Sequence, residues 1–345
     1  MNLQSLTSLA QTLVERPELH GILAETYPED YEQFQKFVTT PLFSWKPFGD
    51  TLSDGNQCQI GFTGSSHKNK WAVTGNRCGK TESAAAELLA DCLGLDILTK
   101  GVSTKGASGG LESFANRPCH AWAVGDTEDT CIDILEKSIY KHLGQDESGF
   151  LWNFVEDGCK YSEKNGWSGH FLQFTNGSFI RFKYHTQQRK TFQGTSLDKV
   201  WLDEEPPKDI YGECRARVMD KHGYVVGTLT PVYEKSRGIP WLYYDLYMNR
   251  QVRGLEFHNW SIFHNPYISE EAKEAFVQET DPDELEIRAY GMFVPMGVKL
   301  AFEHGLIREM REQTQEPEHV EMYLNEKGEI EVENARLRPK AMAQA

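Results

Sequence analysis

The chain has 345 residues, enough for one large domain or for a core with appendages. Its hydrophobic (39%) and charged (25%) fractions are those of a globular protein, and no apolar run is long enough to span a bilayer, so a membrane role is not expected. The net charge of −15 argues against broad, nonspecific affinity for nucleic acid, yet leaves room for a local basic surface.

Residues up to about 40 read as helical, with apolar residues at helical spacing over Ser5 to Val14 and again from Tyr31 to Val38. From Pro41 to Asn69 the text turns to Gly, Ser, Asn and Pro, which predicts irregular structure. Trp71 to Val73 is a short apolar strand that runs into Thr74-Gly75-Asn76-Arg77-Cys78-Gly79-Lys80-Thr81, and Glu82 to Leu93 reads as the helix after it. Leu98 to Arg117 is rich in Gly, Ser and Thr and predicts a loop. His120 to Gly125 is a buried strand, followed by a helix over Thr130 to His142. Alternating residues on either side of Asn176-Gly177 predict a hairpin over Phe171 to Phe182. Lys199 to Leu202 and Tyr224 to Thr228 are further strands. Residues 236 to 295 read as a smaller, mostly helical subdomain, and a tail hairpin is expected over 319–324 and 329–333. Strands alternating with helices imply an α/β fold with a mainly parallel sheet covered on both faces.

The strand, turn and helix at 71–93 predict a phosphate loop (P-loop, Walker A), with backbone N–H groups wrapped around a phosphate at a helix N-terminus. In such a loop Lys80 reaches the β- and γ-phosphates and Thr81 binds Mg²⁺. The usual G-x-x-x-x-G-K-[ST] pattern has Gly where this chain has Thr74, with Gly75 beside it. Downstream, Val200-Trp201-Leu202-Asp203-Glu204 delivers two adjacent carboxylates at a strand end (Walker B). Asp203 fits a metal-holding role and Glu204 the base that deprotonates an attacking water. Glu205 precedes two prolines and reads as a solvated loop acid.

These residues resemble the ATPase region of phage terminase large subunits, the DNA-packaging ATPases. The loop at 74–81 is similar to the family's variant with Arg between its glycines. Gln59-Ile60-Gly61-Phe62 resembles its adenine element, and Phe192-Gln193-Gly194 with Asp198 to Pro206 its run into the acidic strand. Gly227-Thr228-Leu229-Thr230-Pro231 resembles the coupling motif, while Asn265-Pro266-Tyr267 and Arg288 to Phe293 look like the closing part.

The resemblance implies a P-loop NTPase core of the ASCE, RecA-like type at 59–235. An N-terminal helical region with an adenine-side loop at 1–58 would precede it. A lid or linker subdomain at 236–300 and an acidic tail at 301–345 would follow. It implies ATP and Mg²⁺ as ligands, nucleotide contacts from Gln59 and from Thr74, Gly75, Asn76, Arg77, Cys78, Gly79, Lys80 and Thr81, and γ-phosphate sensing through Thr228 and Thr230. Partners would be double-stranded DNA, a portal protein, a small terminase subunit and further copies in a ring, in the cytoplasm of an infected host. Arg77 would act at the γ-phosphate. Arg215 and Arg217 are candidates for charge compensation, including across a subunit boundary, or else form helix-surface ion pairs. Arg181, Lys183, Arg189 and Lys190 either touch DNA phosphates or line a solvated strand face.

Complete family members continue into a nuclease that needs a carboxylate cluster for two metals. Asp283 is the last aspartate here, so nuclease activity is not expected from this chain. The competing readings are another DNA-dependent P-loop ATPase, helicase-like, and a nucleotide-binding assembly remnant without turnover. The seven cysteines contain no Cys-x-x-Cys pair, which predicts reduced thiols; Cys78, beside the phosphates, is either a small filler or a modifiable thiol.

Overall fold

Three amphipathic helices open the chain: α1 (Leu3–Glu15), α2 (Leu19–Thr26) and α3 (Pro28–Val38). Leu6, Ala10 and Leu13 recur at helical spacing on α1 and are all buried, as are Phe34 and Phe37 on α3. The computed structural model describes residues 3–49, 52–98, 114–145, 147, 149–232, 241–294, 322–324 and 330–332. The predicted Gly-rich loop at 98–117 and the acidic tail lie largely outside them.

The stretch expected to be irregular contains two short helices, α4 (Pro41–Ser44) and α5 (Cys58–Gly64). Thr40 caps α4 by accepting a hydrogen bond from Phe43 N, and Pro41 takes the first helical position. The seven residues of α5 include two glycines, too few and too flexible to show a period in sequence; burial of Gln59, Phe62 and Thr63 holds it in place.

Next come β1 (Asn69–Val73), α6 (Lys80–Leu93), β2 (His120–Gly125) and α7 (Glu128–Thr130), which passes through a π-helical turn at Cys131–Glu136 into α8 (Lys137–Leu143). A two-stranded hairpin, β3 (Tyr161–Ser162) and β4 (Gly166–Trp167), precedes β5 (Phe171–Gln173) and β6 (Phe179–Tyr184). The chain continues through β7 (Lys199–Asp203), α9 (Lys208–Met219), β8 (Tyr224–Leu229), α10 (Arg250–Arg253), β9 (Glu256–His258), α11 (Glu270–Glu279) and α12 (Pro282–Arg288). A short antiparallel ladder, β10 (Met322–Leu324) with β11 (Ile330–Val332), forms where the tail hairpin is expected and belongs to a separate unit.

Seven strands make one sheet in the order β5-β6-β2-β7-β8-β1-β9, parallel except where β5 meets β6. Along each central strand the side chains alternate between two cores. Trp71, Val73, Val200 and Leu202 face the side covered by α9, while Ala72, Trp201 and Val226 face the side covered by α6. The Ala84-Ala85-Ala86 run of α6 is fully buried, and its short side chains let the helix lie close to the sheet. The segment after 236 differs from expectation: it contributes β9, which pairs in parallel with β1 and extends the main sheet. Residues 1–294 cluster as one unit.

Buried charge joins α6 to the strands that carry the site. Lys199 Nζ on β7 lies 2.8 Å from Glu87 and 2.6 Å from Asp91, and Lys70 Nζ on β1 lies 3.0 Å from Glu87, all four side chains being almost completely buried. Burial opposes the charge on Lys199, but Asp91 and Glu87 more than offset it and hold the ammonium far above its ordinary pKa. Lys199→Met, which removes the shared cation, is expected to lower stability by roughly 3–5 kcal/mol. A urea titration would show it as a lower midpoint at unchanged slope.

Candidate nucleotide site

β1, β7 and β8 are adjacent and parallel, so their C-terminal ends open on one edge. That edge is where parallel α/β sheets bind ligands. From β1 the chain enters the loop 74–79 and then α6, whose N-cap, Gly79, has φ +73°. Arg77 also adopts a left-handed backbone, φ 59°, rare without glycine and common at functional turns.

The loop is fixed from outside by side chains that donate to its carbonyls. Asn259 Nδ2 donates to Val73 O (2.7 Å), Asn265 Nδ2 to Arg77 O (2.7 Å), Trp260 Nε1 to Cys78 O (2.7 Å) and Gln59 Nε2 to Gly79 O (2.9 Å). The end of α12 adds a backbone contact, Asn76 N to Arg288 O at 2.6 Å. That contact explains the glycine at 75: a Cβ there would lie 2.4 Å from Arg288 O and 2.6 Å from Ala289 O. Gly75 is needed for packing against α12, and Thr74, fully buried, continues the strand by donating N–H to Leu229 O.

Two groups expected at the nucleotide are engaged differently. Gln59 is buried, and its amide bridges Gly79 O and Phe48 N, so it braces the loop. Cys78 is buried, and burial pushes its thiol up to about 12, which leaves it protonated and inert as a small filler.

The acidic strand end converges on Lys80. Lys80 Nζ donates to Thr230 Oγ1 at 2.6 Å and lies 3.8 Å from Glu204 Oε1. Thr81 Oγ1 is 3.5 Å from Asp203 Oδ1, and Thr228 Oγ1 donates to the same oxygen at 2.5 Å while accepting from Trp201 Nε1 at 2.8 Å. Glu204 follows the end of β7 with φ 61°, and this turn breaks the strand's alternation so that both carboxylates lie on the side of Lys80. Burial raises the Asp203 carboxyl, against the pull of Lys80 and the two threonine hydroxyls. Burial also raises Glu204, to about 7, with Lys80 opposing and Asp203 reinforcing the shift. The Glu204 side chain stays 41% open to solvent, enough for a water to reach it. Glu205 is not a loose acid: its Oε1 accepts from Leu242 N and ties the post-strand loop to the helical turn beyond.

A cleft of about 550 Å³ opens in front of the loop, the size of a small-ligand site. Residues 77–82 form one wall; Asp133, Ile134, Lys137, Ser138 and Lys141 form the other.

The remaining candidates are scattered. Arg217 lies at the opposite edge of the sheet from the phosphate loop, where its carbonyl accepts from Leu197 N, and its guanidinium lies 4.0 Å from Glu213. Arg215 is exposed on the same helix. Neither reaches Lys80 within the chain. Lys183, a candidate DNA contact, is instead buried: its Nζ donates to Thr191 O and sits over the Trp122 and Phe192 rings. Arg181 and Lys190 are exposed, and Arg189 is exposed but paired with Glu213 at 2.7 Å. Asn259 and Trp260 carry no signal in the sequence, because the carbonyls of Val73 and Cys78 that they bond lie more than 180 residues away, which no local pattern marks.

Residues 72–236 match the family model described as terminase large subunit, T4likevirus-type, N-terminal. This region belongs to the large-terminase family. The large terminase subunit of Salmonella phage P22 is 26% identical over 244 residues, which is 66% of this chain and 48% of that protein. The chain thus spans about half the length of the curated relative it matches. The Thermus phage P74-26 large terminase ATPase domain superposes with a TM-score of 0.51 at 18% identity, covering 73% of this chain and 96% of that one. The large terminase of a thermophilic bacteriophage, solved in complex with ADP, gives 0.52 at 12% identity, covering 69% and 53%. At these identities the two structures establish the shared fold alone, that of a P-loop NTPase with a mostly parallel sheet.

Trp260→Phe removes one donor and leaves the Cys78 carbonyl buried without it. A loss of about 1–3 kcal/mol is expected, read by thermal unfolding. Glu204→Gln should act in the opposite direction. The folded-state pKa of Glu204 is raised, so its ionisation destabilises the fold as pH rises through about 7. The variant should therefore melt higher than wild type at pH above that value, and the gap should close at pH below the ordinary carboxyl value of 4.5.

Proposed function

We propose that this chain hydrolyses ATP and is the motor subunit of a phage DNA-packaging complex. The observation that carries the reading is the meeting of Lys80, Asp203, Glu204 and Thr230 at one end of three adjacent parallel strands, in front of a braced phosphate loop. Lys80 and the loop N–H groups bind the β- and γ-phosphates, and Arg77, exposed on the cleft wall, adds charge at the γ-phosphate.

Thr81 and Asp203 fit Mg²⁺, because both offer oxygen and stand within 3.5 Å of each other. When bound, the ion neutralises phosphate charge and orients the chain of phosphoryl groups. Glu204 accepts the proton of the attacking water; a carboxylate poised near 7 is suited to that transfer at neutral pH. Thr230 links the two events. Its hydroxyl accepts from Lys80, and its N–H donates to Glu204 Oε2 at 3.1 Å, so replacement of the Lys80 contact by a γ-phosphate would be felt at the base.

The wider reading follows the family. Double-stranded DNA is the track, a portal protein the docking site, a small terminase subunit the partner, and several copies form a ring in the infected cell. Exposed Arg181, Arg189 and Lys190 remain the DNA candidates, and Arg215 remains a candidate for action on a neighbouring copy.

ATP turnover measured with DNA and portal present is expected to rise with pH through about 7. Glu204→Gln should lower it by about a hundredfold or more, with nucleotide binding retained. Wild-type protein without turnover under those conditions would overturn the motor reading.

A further inference from the structure

The cleft wall opposite the phosphate loop belongs to no motif legible in the sequence, and it is chemically distinctive. Ile134, Lys137, Ser138 and Lys141 recur at one-turn spacing, so they share one face of the helix that runs from the π-helical turn into α8. All four line the cleft together with the loop residues 77–82. Ile134 is 42% exposed, an apolar side chain standing open beside two lysines. With Arg77 and Lys80 from the other wall, the cleft gathers four cations against Glu82 and Asp133, in a chain of net charge −15. The π-helical turn that carries Ile134 is itself uncommon, and such turns recur at functional sites.

The two lysines are held differently. Lys141 Nζ lies 3.3 Å from Glu82 in the first turn of α6, and the buried His142 Nε2 lies 3.3 Å from the same oxygen. Both contacts join the wall to the first turn of α6. Lys137 Nζ lies 3.0 Å from Glu163, an ion pair in which the two side chains are 49% and 65% exposed. Such a pair is weak and screened by salt, so it is easily exchanged for a stronger anion.

We propose that this helix face is the second wall of the nucleotide site, with Lys137 leaving Glu163 to contact the phosphates of the bound nucleotide and Ile134 packing against its nucleoside. The proposal rests on the ATP reading above. A charge-assisted hydrogen bond from an ammonium to a phosphate oxygen is among the stronger single polar contacts, and Lys137 lines the same cleft as Lys80.

The test is equilibrium binding of ATP and ADP to the full chain, monitored by their displacement of a fluorescent nucleotide analogue. Lys137→Gln is expected to weaken ATP binding about tenfold. Lys137→Arg should restore most of it, and the loss should shrink at high salt. Glu163→Gln separates a phosphate contact from a structural ion pair, since it breaks the same pair yet should leave affinity unchanged or improved. Ile134→Ser should weaken ATP and ADP alike. Lys80→Ala serves as the control for the site itself. Wild-type binding that is lost in Lys80→Ala but unchanged in Lys137→Gln would overturn the proposal alone, as would a Glu163→Gln loss equal to that of Lys137→Gln. Wild-type protein that binds neither nucleotide would overturn the ATP reading, and this proposal with it.

Discussion

The orientation of the peptide groups in the loop 73–79 is the constraint on which the site depends. A peptide is planar and trans, so a carbonyl held in one direction turns the next residue's N–H the opposite way. Gln59, Trp260 and Asn265 hold the carbonyls of 79, 78 and 77 toward the protein, which directs the N–H groups of 80, 79 and 78 away from that buttress. A loop of this kind, left alone, would sample many conformations, and Gly75 and Gly79 would add to them. The geometry of the loop is therefore built largely by residues far along the chain. The same buttress accounts for the extra strand β9, because Asn259 and Trp260 follow it directly and reach the loop only if β9 lies beside β1.

Strand β8 couples the loop to the acids at that edge of the sheet. The strand register places Asp203 beside Thr228 and Val73 beside Leu229. Thr228 bonds to the Asp203 carboxylate and Thr230 bonds to Lys80, so the strand between the loop and the acids touches both. Beneath them, the buried Lys70–Glu87–Lys199–Asp91 cluster locks α6 to β1 and β7. A shift of the helix that carries Lys80 would require moving charges that have no water to replace their partners, which favours a rigid frame with motion confined to side chains and loops.

How far each sequence reading carries follows the range of the forces involved. Strands such as His120–Gly125 and the Asn176-Gly177 hairpin are legible because period and turn chemistry are local. A lysine on an alternating strand, such as Lys183, looks solvated until a neighbouring loop folds over it; here Thr191 and Phe192 close on its ammonium. Helix α5 is hidden for the opposite reason, being too short to carry a period and held by burial and by the long-range bonds of Gln59.

By itself the sequence determined the α/β class, the strands of the main sheet other than β9, and the chemistry available at the strand ends: a Gly-Lys-Thr turn after β1, paired acids at the end of β7 and two threonines in and after β8. Each depends on neighbours a few residues apart, where the chain's own geometry acts. Only the tertiary structure decided that Glu204 turns toward Asp203, that Gln59 braces the loop, that residues 256–258 join the sheet, and that a lysine-bearing helix faces the phosphate loop. Those facts depend on backbone strain and on contacts between segments distant in the chain, and burial and hydrogen bonding across such distances have no signature in local pattern.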